Sequence, residues 1–296
     1  MSYILCKACG MNEFKKLVNF ANSYELAGKS YGAEQWLSIL FSRFASLKYK
    51  DKWIKAGTFE GTDLRPMTLS RIVNATIWYE QNILASLKLH DQYAQDIVNH
   101  SFSEEFAIDH SAIWREVMNR SGYLDSVYFA IDYFISQMIK IHGVALSRQN
   151  KASNFLSLLR HFSMETAGST KQEIVSEIRL HLPTSMGTSR SALVEQSDSM
   201  VPFQKSFEYL TLIRNSLHNN GFANKTMNDL VIGPFEYKGI VKNQSLQCMG
   251  IPNLVVLILQ MVNCIEQLCE RSVAEITAPQ NDPHLEFMKS RLGFYP

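Results

Sequence analysis

Charge is scarce in this chain and nearly balanced. Charged residues are 19% of it and the formal net charge is +1, so no global basic field marks a nucleic-acid partner. A contact with DNA or RNA would have to come from a local patch. Long apolar runs are missing too. The longest, LVVLILQMVNCI over 254–265, is interrupted by Gln260 and Asn263 and is too short to span a bilayer. The opening MSYILCKACGMNEF has no basic stretch followed by a long apolar one, so no export signal is expected. A cytoplasmic protein with no membrane partner is the expectation. Cysteine is sparse and odd in number, at positions 6, 9, 248, 264 and 269. In a reducing compartment these read as free thiols.

The ready-made catalytic signatures are absent as well. No GxSxG, HExxH or Ser/His/Asp order occurs. Ala27-Gly28-Lys29-Ser30 ends like a phosphate-binding loop, but the position its first glycine needs is Ser23. Cys6-Lys-Ala-Cys9 has metal-ligand spacing without a second pair at zinc-finger distance. No metal and no cofactor is therefore expected. His161 and His181 stand beside single arginines with no third partner and read as structural. The methionines and aromatics, on apolar stripes, read as core.

What is present is an apolar fraction of 46% in 296 residues, enough for a folded chain of one or two domains. The periodicity is helical along most of it. Segments are expected over 12–25, 32–48 and 67–98, then from about 104, with Ser121-Gly122 separating that one from 123–141. YLDSVYFAIDYFISQMIKI is apolar around much of its circumference and reads as the central buried helix. Further helices are expected over 152–164, 202–218 and 252–275. The Ser/Thr-rich stretch 183–200 reads as a loop. The β signal is GPFEYKGIV, KNQ, SLQCM, a hairpin near 232–248 turning at KNQ. The expected fold is all-α: an antiparallel helical bundle with one small β-hairpin insertion before the last long helix. The expected division is an N-terminal helical region over 1–115 and a bundle over 116–296.

The candidate site is LIRNSLHNNGF, residues 212–222. Read as a helix ending, it puts basic residues in the last turn, against the negative end of the dipole, and then Asn and Gly. Read as a site, it puts Arg214 and His218 on one face, four residues apart, with Asn215 at its border. That face combines a permanent cation, a group titrating near neutral pH and an orienting amide. These suffice to cleave an RNA phosphodiester without metal: the histidine takes the 2′-hydroxyl proton and the arginine stabilises the phosphoryl oxygens.

RNSLHNNG, followed by a hairpin and a long amphipathic helix, resembles the HEPN superfamily over about residues 120–275. The resemblance implies a four- or five-helix bundle, often a homodimer whose two motifs form a composite site. Active members are metal-independent endoribonucleases of toxin–antitoxin, CRISPR-associated and antiviral systems, some paired with a neutralising protein. Others bind a nucleotide, RNA or a protein partner without catalysis. Carried over, Arg214 would stabilise the phosphate, Asn215 would be the polar residue after it, and His218 the base. Three residues separate Arg and His here, where the family has four to six. That rotates His218 about 40° from Arg214 around the helix, against about 140° for the family's closest spacing. Three readings stay open: a ribonuclease, a non-catalytic binding module, and a helical scaffold with a capped helix.

Overall fold

The computed structural model describes residues 23–26, 29–47, 64–99, 104–146, 150–181, 200–219, 222–232, 235–237, 239–244 and 251–272. The part of the first expected helix over 12–22, the stretch 183–199 and Cys6 and Cys9 fall outside them. The described chain is mostly helical. Seven helices run in the order α1 (Ala33–Ser46), α2 (Leu64–Asn99), α3 (Glu104–Ile141), α4 (Lys151–His161), α5 (Lys171–His181), α6 (Phe203–His218) and α7 (Ile251–Arg271).

Helix α7 is enclosed by the rest. Every residue from Leu254 to Val262 is buried, Gln260 included, and Cys264, Ile265, Leu268 and Cys269 continue the buried face. By length and composition it could cross a membrane, yet here it is a core helix. The role of central helix, expected for 123–141, belongs to α7 instead. α3 keeps an exposed stripe through Gly122, Ser126, Phe129 and Ser136.

Ser121-Gly122 does not interrupt α3 either, and the division expected near residue 115 falls inside this helix. Gly122 faces open space, and Ser126 donates from Oγ to its carbonyl at 2.8 Å. A glycine inside a helix costs about 1 kcal/mol. Burial of Tyr123, Leu124, Val127 and Tyr128 just beyond it outweighs that.

Helices α2 and α3 lie antiparallel. Arg71 reaches the Tyr133 ring, while Tyr79 stacks on Tyr123 at 4.5 Å and Thr76 hydrogen-bonds Tyr123 at 2.9 Å. Helix α1 packs Trp36, Leu37, Leu40 and Phe44 into the same core. The face of α6 that carries Phe203, Phe207, Leu210 and Ile213 is buried too.

The strands are short. β1 (Ser23–Leu26) pairs antiparallel with β2 (Lys29–Gly32), where a helix was expected across 12–25. β3 (Gly168–Ser169) pairs with β4 (Val201–Pro202) and ties down the start of α6: Phe203 donates its amide to the Ala167 carbonyl at 2.9 Å. Gly168 is required there, since a Cβ would sit 1.9 Å from the Val201 carbonyl oxygen. A hairpin is present just before the expected one: β5 (Leu230–Ile232) pairs antiparallel with β6 (Phe235–Tyr237). The chain turns again at KNQ, where Gln244 donates its amide to the Val241 carbonyl at 3.0 Å, while the expected second strand SLQCM lies outside the described residues. The ladder extends through Met227 with Ile240 and Ala223 with Asn243 and Gln244. Tyr237 anchors it to the start of α7, donating to the Asn253 carbonyl at 2.6 Å.

Candidate functional site

Helix α6 stops at His218, and Asn219 caps it by donating its amide to the carbonyls of Asn215 (3.1 Å) and Ser216 (3.0 Å). The helix-ending role of this stretch is therefore real. The side chains do more than finish a helix. The inward residues Leu212, Ile213 and Ser216 fix the rotation of α6, with Ser216 Oγ donating to the Leu212 carbonyl at 2.7 Å. That rotation turns Arg214 and His218 together toward α3.

They meet on one atom. Asp125 Oδ1, on α3, accepts from Arg214 Nε at 3.3 Å and lies 3.0 Å from His218 Nε2. An ionised carboxylate only accepts, so His218 donates its Nε2 proton to Asp125. In the neutral ring that leaves the lone pair on Nδ1, and the His218 side chain is 52% exposed. Asp125 thus fixes tautomer and ring direction as the carboxylate of a His–Asp pair does. Arg214 also donates from Nη1 to Asn215 Oδ1 at 3.4 Å, and its guanidinium lies 5.5 Å from the centre of the Tyr128 ring. The rest of its donor fork has no partner among the described residues. The tight four-residue spacing is what lets both side chains reach one acceptor.

Tyr128 links this cluster to a second ion pair. Lys151, at the start of α4, lies 5.4 Å from the centre of the same ring and donates to Asp132 Oδ2 at 2.5 Å. Burial disfavours the Lys151 ammonium, but Asp132 and Tyr128 outweigh it and hold its pKa above the ordinary lysine value. Burial pushes the Tyr128 phenol above 10.0, Asp132 adds to the rise, and Lys151 and Arg214 oppose it.

The three residues singled out in the sequence, Arg214, Asn215 and His218, are therefore brought together. Asp125 was missed as a member of the cluster. The readable signal for Asp125 was a pair of carboxylates, Asp125 and Asp132, seven residues apart in the largely apolar stretch 123–139. Among the described residues no group of three or more metal-ligating side chains forms. No protein-family model, curated protein or solved structure matches the chain.

Proposed function

We propose that the chain is a HEPN-like helical bundle acting as a metal-independent endoribonuclease. The observation that carries this reading is the convergence of Arg214 and His218 on Asp125 Oδ1 at a solvent-accessible surface. His218 Nδ1 takes the proton of a 2′-hydroxyl, and the 2′-oxygen attacks the adjacent phosphorus. The bond from phosphorus to the 5′-oxygen breaks, and that oxygen takes up a proton. The products are a 2′,3′-cyclic phosphate and a 5′-hydroxyl. Arg214, steered by Asp125 and Asn215, meets the non-bridging oxygens with its remaining N–H groups. In keeping with the resemblance, the working unit is a homodimer that pairs two such clusters, held in check by a neutralising protein.

A single-stranded RNA incubated with the chain in EDTA tests this. Cleavage with a cyclic-phosphate end is expected, and His218→Ala is expected to slow it ~10²–10⁴-fold with melting little changed. Wild-type chain that leaves the RNA intact, or a His218→Ala variant that cleaves as fast, ends the ribonuclease reading. One observation favours a non-catalytic module instead. Asp125 already places a negative charge on Arg214 where a phosphate would bind. RNA binding without cleavage is the result that would select it.

A further inference from the structure

The aromatics are not all core. Trp78 on α2 is 68% exposed and Phe129 on α3 is 63% exposed, against the expectation that such residues fill apolar stripes. Single exposed aromatics are ordinary, but these two belong to one ordered face. Phe129 stands one turn from Asp125, which carries Arg214 and His218, and one turn from Asp132, which carries Lys151. Tyr133 is one further turn along α3, and Arg71 of α2 lies over its ring at 4.7 Å. Trp78 is two turns from Arg71 on the same side of α2. The Tyr79–Tyr123 stack sets it level with Asp125 across the helix pair. The surface thus alternates cation and aromatic, with about 10 Å of helix axis between the Asp125 and Asp132 ion pairs and Phe129 between them.

We propose that this α2–α3 face is a base-stacking platform on which Phe129 and Trp78 each hold an unpaired nucleobase of a nucleic-acid strand whose backbone runs past Lys151 and Arg214. The assignment rests on the ribonuclease reading for its orientation, since it leads the strand to His218. Interleaved aromatics and cations are the arrangement that binds single strands with little sequence preference. The cations also decide against a purely apolar occupant. Lys151 and Arg214 each already face a carboxylate, Asp132 and Asp125, so the net field is weak. Stacking has to supply most of the affinity, and the salt dependence is expected to be shallow.

The test is fluorescence anisotropy with a 2′-O-methyl RNA dodecamer, which cannot be cleaved, beside a duplex of the same sequence. Sedimentation of each variant is followed in parallel. Wild type is expected to prefer the single strand. Phe129→Ala and Trp78→Ala are each expected to weaken it roughly 5- to 100-fold, while Phe129→Tyr and the remote Val231→Ala bind as wild type. Absence of single-strand binding, or Phe129→Ala binding unchanged, overturns the platform. So does a loss of binding accompanied by a shift in sedimentation, which would make the face an interface between two copies. Phe129-dependent binding in a chain that cleaves no RNA upholds the platform and rejects the ribonuclease. Cleavage with Phe129-independent binding does the reverse.

Discussion

Two arginines in this fold do opposite things with the same chemistry. Arg43, on α1, is 11% exposed and reaches Glu266 of α7, Asn263 Oδ1 of α7 at 2.9 Å and Ser46 Oγ at 3.0 Å, with Glu177 of α5 at 3.8 Å. Its whole donor fork is spent on joining three helices. Arg214 shares one carboxylate oxygen with a histidine, gives Nη1 to Asn215, has no further donor partner among the described residues and is a third exposed. Sequence spacing does not separate the two, for each sits near the end of an amphipathic helix. The difference is enclosure. A buried cation must be fully met or the fold loses stability, while a half-exposed one can keep donors in reserve for a ligand.

The largest expected effect follows from the enclosed member. Arg43→Met removes the ion pair with Glu266, whose side chain is 13% exposed, and a loss of about 3 kcal/mol is expected in urea unfolding. Adding Glu266→Leu should return part of it, because no carboxylate then has to be held in that enclosed position. Arg214→Ala, under the same conditions, should cost no more than about 1 kcal/mol. If the two single variants lose equal stability, Arg214 is a strut like Arg43, and the case for a reserved site collapses.

A middle effect tests how Glu177 is delivered to that clamp. Helix α5 opens with a reciprocal cap: Thr170 donates its amide to Glu173 Oε2 at 2.7 Å, and Glu173 donates its amide to Thr170 Oγ1 at 3.1 Å. Thr170→Ala should cost about 1 kcal/mol, measured by urea midpoint. In an Arg43→Met background it should cost less, since the anchored helix then has less to hold. Full additivity would show that α5 and the clamp are independent.

The same particulars show what was legible in the chain. The long stripes were: Leu254, Leu257, Ile258, Met261, Ile265 and Leu268 mark α7, and Phe203, Phe207 and Leu210 mark α6. Helix α5 went unread although Thr170 and Glu173 spell a capping box three residues apart. LVIGPFEY carries a Gly-Pro turn signal between two short strand-forming triplets, which KNQ overshadowed. Ser23-Tyr24-Glu25-Leu26 alternates polar and apolar just before Ala27-Gly28, a strand signal hidden by the helical pattern expected over 12–25. The site was half legible. Arg214, Asn215 and His218 are local, so helical spacing found them. Asp125 is 89 residues from Arg214, and only the packing of α3 on α6 makes them neighbours.

The smallest effect concerns a third polar cluster, set between the other two in enclosure. His142, just past α3, lies 5.5 Å from the His161 ring and 3.3 Å from Ser272 Oγ, where the ends of α3, α4 and α7 converge. Burial lowers its pKa below 6.5, and the neighbouring His161 lowers it further. The unfolded chain therefore binds a proton at His142 more readily than the folded one. Stability from this group is complete above pH 6.5 and falls as the pH drops through 6.5 toward the lower folded value. Unfolding free energies at pH 7.5, 6.5 and 5.5 should decline more steeply for wild type than for His142→Asn. Arg43 and Arg214 stay charged throughout that range, so neither network supplies such a slope through its arginine. Parallel curves for wild type and His142→Asn would mean that solvent reaches His142 freely, and that the half-enclosed cluster behaves like the open one at Arg214 and not like the clamp at Arg43.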